Sequence, residues 1–140
     1  MKILVPFDGS LPAGRALRFA IGLTRVQKGS RIVVVNGQNI ATLGAVDAMI
    51  DWAQEQAYAA EQSEKILRKA LALCRKAKVK ADSRAEVGPI APTIHRLARK
   101  LSADQIVMGS RGLGGIRGLF LGSVATQLVH LTDVPVTLVK

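Results

Sequence analysis

Short apolar runs alternate with longer amphipathic stretches along this chain. The runs "KILVP" at residues 2–6 and "RIVVVNG" at 31–37 are apolar almost without interruption. Unbroken runs of this length suit strands of a parallel sheet covered on both faces, because neither side meets water. Asn36-Gly37 stops the second run. A third strand is expected at "KADSRAEV", 80–87, where Ala81, Ser83, Ala85 and Val87 alternate with charged residues and Gly88-Pro89 ends the pattern. A fourth, "DQIVMG", opens at Asp104, and a fifth, "VPVTLVK", covers 134–140.

The stretches between them read as helices. After the turn and N-cap chemistry of Asp8, Gly9 and Ser10, with Pro12 suited to a first turn, Ala13, Ala16, Leu17, Ala20, Ile21 and Thr24 recur at spacings of three and four. Residues 38–45 show little pattern and read as loop. From about Val46 to Lys78 the chain is rich in Ala, Gln, Glu, Lys and Leu with no Pro or Gly, which predicts helix with a break somewhere before Ala60. "IAPTIHRLARKL" turns Ile94, Leu97, Ala98 and Leu101 inward, and "SVATQLVHLT" does the same with Val124, Leu128, Val129 and Leu131. Strand and helix thus alternate five times with no internal repeat or linker. That pattern predicts a single α/β domain over 1–140: a doubly wound, Rossmann-like, five-stranded parallel sheet with helices on both faces and right-handed crossovers.

Composition agrees with a globular core: 49% of the 140 residues are hydrophobic and 21% charged. No apolar run approaches the ~18 residues of a membrane span, and the apolar stretch near the N-terminus is too short for a secretory signal. The single cysteine, Cys74, forms no internal disulfide and sits at core spacing from Ile66, Ala70 and Ala77, so a reducing cytoplasm and an inert packing role are expected.

The segment "MGSRGLGGIRGLFLGSV", Met108 to Val124, holds six glycines in seventeen residues. Glycine loses more conformational entropy on folding than other residues, so six together need a reason. In an open α/β sheet ligands bind beyond the carboxyl ends of the strands, and this segment leaves a strand end and enters a helix. Free N–H groups and the partial positive charge of a helix N-terminus favour an anion there, and glycine puts no Cβ between an amide and a phosphate oxygen. No lysine precedes Ser123, so the segment is not a Walker A loop, and it lies too late for a dinucleotide fingerprint. Two other readings stand beside anion binding. In one the glycines only make turns; in the other the segment is a disordered insert, which would leave Ile116, Leu119, Phe120 and Leu121 in water.

The residues carry a resemblance. Gly109, two residues, Gly112, nine residues and Gly122-Ser123 match the G-x2-G-x9-G-S/T signature of the universal stress protein family. "KILVPFDGS" resembles that family's first strand with its acidic residue, "ADQIVMGSRG" its fourth strand, and "GSVATQLV" with "VPVTLVK" its closing helix and strand. The resemblance implies ATP, or AMP or ADP, in the cleft. Pro6 and Asp8 would hold adenine and ribose, with Asp8 accepting from ribose hydroxyls; capping the first helix is its alternative role. Met108 would pack near the sugar or base. Gly109, Gly112, Gly122, Ser123 and Val124 would meet the phosphates. The family's second strand commonly ends in a pair finishing with valine; here Gly37 offers the base its backbone and no side chain. Arg111 would clamp a phosphate with its fork of donors, as would Arg117 from the nine-residue loop, or either points to solvent.

Chemistry beyond binding has little support. No acidic residue lies between Asp104 and Asp133, so the glycine segment offers no carboxylate for metal or water, and Mg²⁺ would arrive with the nucleotide. His95 and His130 stand alone on helices, and no catalytic residue is assigned. A nucleotide-responsive stress or regulatory protein is expected, its ligand favouring a form that an unknown protein partner reads. Slow ATP hydrolysis or self-phosphorylation stays open, as does a nucleotide-independent interaction protein. Net charge is +10, from 20 Lys+Arg and 10 Asp+Glu, which suits an anionic partner. Eight of the basic residues fall between Lys65 and Arg84, where a solvated helix face explains them, and an aromatic content of 4% argues against a nucleic-acid platform. The apolar last strand at a sheet edge invites pairing, and the resemblance implies a homodimer through it.

Overall fold

The computed structural model describes residues 1–39, 52–113 and 121–140. Within the described residues nine elements follow in order: β1 (Lys2–Pro6), α1 (Leu11–Val26), β2 (Arg31–Gln38), α2 (Trp52–Lys76), β3 (Ala81–Val87), α3 (Ile90–Lys100), β4 (Gln105–Gly109), α4 (Ser123–Leu131) and β5 (Val136–Val139). The strands form one sheet in the order β3-β2-β1-β4-β5, and every pairing is parallel. The chain winds outward from β1 to β3, then returns to the other side of β1 for β4 and β5. The expected doubly wound α/β fold is therefore the observed one.

Burial explains the unbroken runs. Ile3, Val5, Ile32, Val34 and Val107 face one layer with Ala16, Leu17 and Ala20 of α1 and Leu67, Ala70 and Cys74 of α2. Leu4, Val33, Val35, Ile106 and Met108 face the other with Ile94, Leu97 and Ala98 of α3 and Ala125 and Leu128 of α4. Neighbours in sequence serve opposite cores, so the central positions of these strands are apolar in unbroken succession. Cys74 has no exposed surface, and burial pushes its thiol pKa upward.

Several boundaries differ from expectation for local reasons. α2 stops at Lys76 because Lys78 turns left-handed, φ 57°, while Lys78 N–H donates to Arg75 C=O and Val79 N–H to Cys74 C=O. α3 ends the same way: Ser102 has φ 49°, and Ala103 N–H donates to Ala98 C=O. Asp104 stands just before β4, accepting from Lys2 N–H through Oδ2 at 2.6 Å. Pro135 leaves β5 only four residues. Val129 and Leu131, expected inward, are 39% and 46% exposed, because Ala125 and Leu128 take the inward positions of the short α4. The alternation in β3 fails after Arg84: Val87 is exposed and Glu86 half-buried, where it meets Arg96 at 3.3 Å. The start of the long helix before residue 52, and Arg117, lie outside the described residues.

Candidate functional site

The sheet opens where its winding reverses. Lys2 C=O accepts from Asp104 N–H, so the even residues of β1 turn their backbone groups towards β4. Pro6, on that side, has no N–H to give. The β1–β4 register runs from Ile3↔Gln105 to Leu4↔Ile106, whereas β1 stays paired with β2 as far as Pro6↔Val35. A cleft of about 280 Å³ lies beyond these strand ends. Every site residue expected from sequence and described by the structure lines it: Pro6, Asp8, Gly37, Met108, Gly109, Arg111, Gly112, Gly122, Ser123 and Val124.

At one end of the cleft β2 overhangs β1. Arg31 N–H and Val35 C=O bond towards β1, while Ile32 N–H and Gln38 C=O bond towards the β3 side. By that alternation the N–H and C=O of Gly37 face β1, which has already ended. Phe7 N–H donates to Val35 C=O, so Phe7 C=O stands where it would take the Gly37 amide. The Asn36 side chain takes it instead, donating through Nδ2 at 2.8 Å. Its Oδ1 accepts from Ser63 Oγ of α2 at 2.8 Å and Gln38 Nε2 at 2.9 Å. Among the described residues, the Gly37 N–H and C=O thus stand as bare backbone at the cleft, beside a buried polar hub.

At the other end stands the start of α4. Its cap residue, Gly122, makes no side-chain hydrogen bond, so among the described residues the first amides of the helix keep the open valence common to helix starts. Ser123, Val124 and Ala125 carry them and line the cleft. The α1 start differs: Ser10 Oγ accepts from Ala13 N–H at 3.2 Å. Ser10, and not Asp8, is therefore the cap of α1. Asp8 Oδ1 accepts from Ser10 N–H at 2.9 Å in a local turn, and Oδ2 accepts from Leu113 N–H at 3.1 Å, tying the β1 end to the chain after β4. Arg111 is exposed on the rim, and Met108, 5% exposed, belongs mainly to the core.

The glycines are there for several reasons. A Cβ at Gly109 would stand 2.9 Å from Ala13 N and from Pro12, so this glycine lets α1 press against β4. A Cβ at Gly112 would meet Asp8 Oδ2 at 2.7 Å, and one at Gly122 would meet Arg111 Cα at 3.2 Å. Gly122 N–H is bound to Ser110 C=O at 2.7 Å, so this amide faces the protein. Sequence reading missed the apolar wall of Ile90 and Ile94 and the lining by Phe7 and Leu113. The signal for Ile90 was its place as the first apolar residue after Gly88-Pro89, on the carboxyl edge of the sheet. His95 and His130 do not line the cleft, and among the described residues no three His, Cys, Asp or Glu gather as a metal cage. Among the described residues, no helix is long and apolar enough to cross a membrane.

A doubly wound parallel sheet with its cleft at the reversal point, floored by a helix N-terminus, defines a ligand-binding α/β class. Within it the chain belongs to the universal stress protein family, whose model matches residues 1–140. A universal stress protein of Thermus aquaticus is 33% identical over 138 residues, spanning 99% of this chain and 97% of that one. The Archaeoglobus fulgidus universal stress protein solved in complex with dAMP superposes with a TM-score of 0.75 at 25% identity, over 100% of this chain and 98% of that one. UspA from Lactobacillus plantarum has the same fold, with a TM-score of 0.85 at 18% identity over 100% and 97%.

Proposed function

We propose that the cleft binds an adenine nucleotide, ATP or a shorter relative, and that the bound form is the regulatory state of a stress protein. The observation that carries this reading is the pairing of two open backbone features at opposite ends of one cleft. The Gly37 N–H and C=O form a donor–acceptor pair that matches the acceptor and amino donor on the pairing edge of adenine. The amides of Ser123, Val124 and Ala125, with the helix dipole behind them, suit phosphate oxygens. Asp8 sits between, and each carboxylate oxygen that accepts one protein amide keeps a lone pair for a ribose hydroxyl. Arg111 adds charge at the phosphate end, and Mg²⁺ enters on the phosphates. The dAMP held by the Archaeoglobus relative supports the class of ligand. We further propose a homodimer through β5 in a reducing cytoplasm.

Ser123 gives a clean test. It is the first residue of α4, and Gly122 before it is extended, φ −71° and ψ 158°, which a following proline accepts. Ser123→Pro removes one amide and one hydroxyl while keeping the helix start. Calorimetry is expected to show ATP binding by the parent and a loss of roughly tenfold or more in the variant, with a smaller loss for Ser123→Ala. A parent that binds neither ATP nor AMP sinks the nucleotide reading; a variant as tight as the parent sinks the phosphate placement. Gly122→Val is less clean, since its side chain would strike the Arg111 backbone.

A further inference from the structure

Gly37 leaves the base end of the cleft without the side chain that a strand residue would put there, and Ile90 stands beside that space. A Cβ built on Gly37 would lie 3.5 Å from Ile90 Cγ2 and 3.6 Å from Ile90 Cγ1. Ile90 is the first residue of α3, half-buried, and shares the cleft wall with Gly37 and Ile94. The turn before it is built to deliver it. Gly88 has φ +132°, a conformation that L side chains rarely adopt, and its N–H donates to Gln38 C=O at 3.0 Å. That bond fastens the β3–α3 turn to the overhanging end of β2. Pro89 follows and sets the helix entry, and Thr93 N–H closes its first turn on Pro89 C=O at 3.0 Å. The turn and the strand end are thus one unit, and Ile90 is the apolar group it presents.

We infer that Ile90 is the specificity-determining cover of the base subsite, supplied by α3 in place of a side chain on β2. This inference rests on the nucleotide reading of the cleft. An apolar branched side chain packs on the face of a purine and contributes nothing to a phosphate chain, so Ile90 selects ligands that carry a base. The backbone pair of Gly37 reads the edge of the base, and Ile90 covers its face.

Two ligands separate the subsites. Inorganic tripolyphosphate probes the α4 amides alone, and AMP needs the base subsite. Ile90→Ala is expected to weaken AMP and ATP by roughly tenfold and to leave tripolyphosphate affinity unchanged. Adding Gly37→Val to Ile90→Ala returns branched carbons to the vacated space and is expected to restore most of the loss, a result that a folding defect does not produce. Ile90→Val, with a smaller volume change, is expected to fall between parent and Ile90→Ala. Equal losses for AMP and tripolyphosphate, or no loss for AMP, overturn the assignment while parental nucleotide binding stands. A parent that binds tripolyphosphate and no nucleotide overturns the nucleotide reading and the inference together.

Discussion

Two residues hold conformations that their side chains resist. Lys78 and Ser102 each occupy the left-handed position that closes a helix, with φ 57° and 49°. Glycine usually stands there, because a Cβ crowds the following carbonyl. Lys78→Gly and Ser102→Gly are each expected to stabilise the protein by about 0.5–1 kcal/mol, read as a rise of a few degrees in melting temperature. A fall in either would mean that the lost side chain contributed more than the strain it caused. Gly109 sits at the opposite extreme. Its neighbours are backbone and proline atoms 2.9 Å from any added Cβ, which cannot swing aside. The first glycine of the signature therefore serves helix-on-strand packing.

At the scale of elements, β5 is the exposed margin of the sheet. Among the described residues it pairs only with β4, all four of its residues are half-buried, and the helix leading into it leaves Val129 and Leu131 exposed. Ile106 N–H donates to Pro135 C=O and Ser110 N–H to Val139 C=O, so the odd residues of β5 serve the sheet. Val136 and Leu138 turn their amides outward, where a second strand would take them. Sedimentation of the parent is expected to give twice the 14.9 kDa chain mass. Val136→Pro removes an outward amide and no in-sheet bond, and is expected to shift the mass to that of one chain. A parent that sediments as a single chain at micromolar concentration removes the homodimer.

At the scale of the molecule, the fold was legible because its central strands β1, β2 and β4 are buried on both faces and announce themselves as apolar runs. The edge strand β3 was found by alternation, and it is where the inside–outside pattern failed. The glycine segment pointed to the right edge of the sheet, because βα connections at the carboxyl ends meet at the reversal point. What stayed hidden was which bond each group had already made. No spacing tells that Gly122 N–H faces Ser110, that Asp8 ties down Leu113, or that Ile90 stands over Gly37; only the packed tertiary arrangement brings those partners together. Asn36 illustrates a further outcome. Buried at 2% exposure, its amide is gripped by Phe7, Ser63 and Gln38. An Asn-Gly pair in a loose chain sheds ammonia when the glycine nitrogen closes a ring on the asparagine carbonyl, and water then opens the ring to an acid. Folding shields Asn36 from that chemistry, and thermal unfolding exposes it. Protein held above its melting point is therefore expected to convert Asn36 to aspartate or isoaspartate, detectable by peptide mass, and to lose refolding yield in step. An acid there turns a lone pair towards the Phe7 carbonyl, so each heating leaves a chemical clock reading that the native state had stopped.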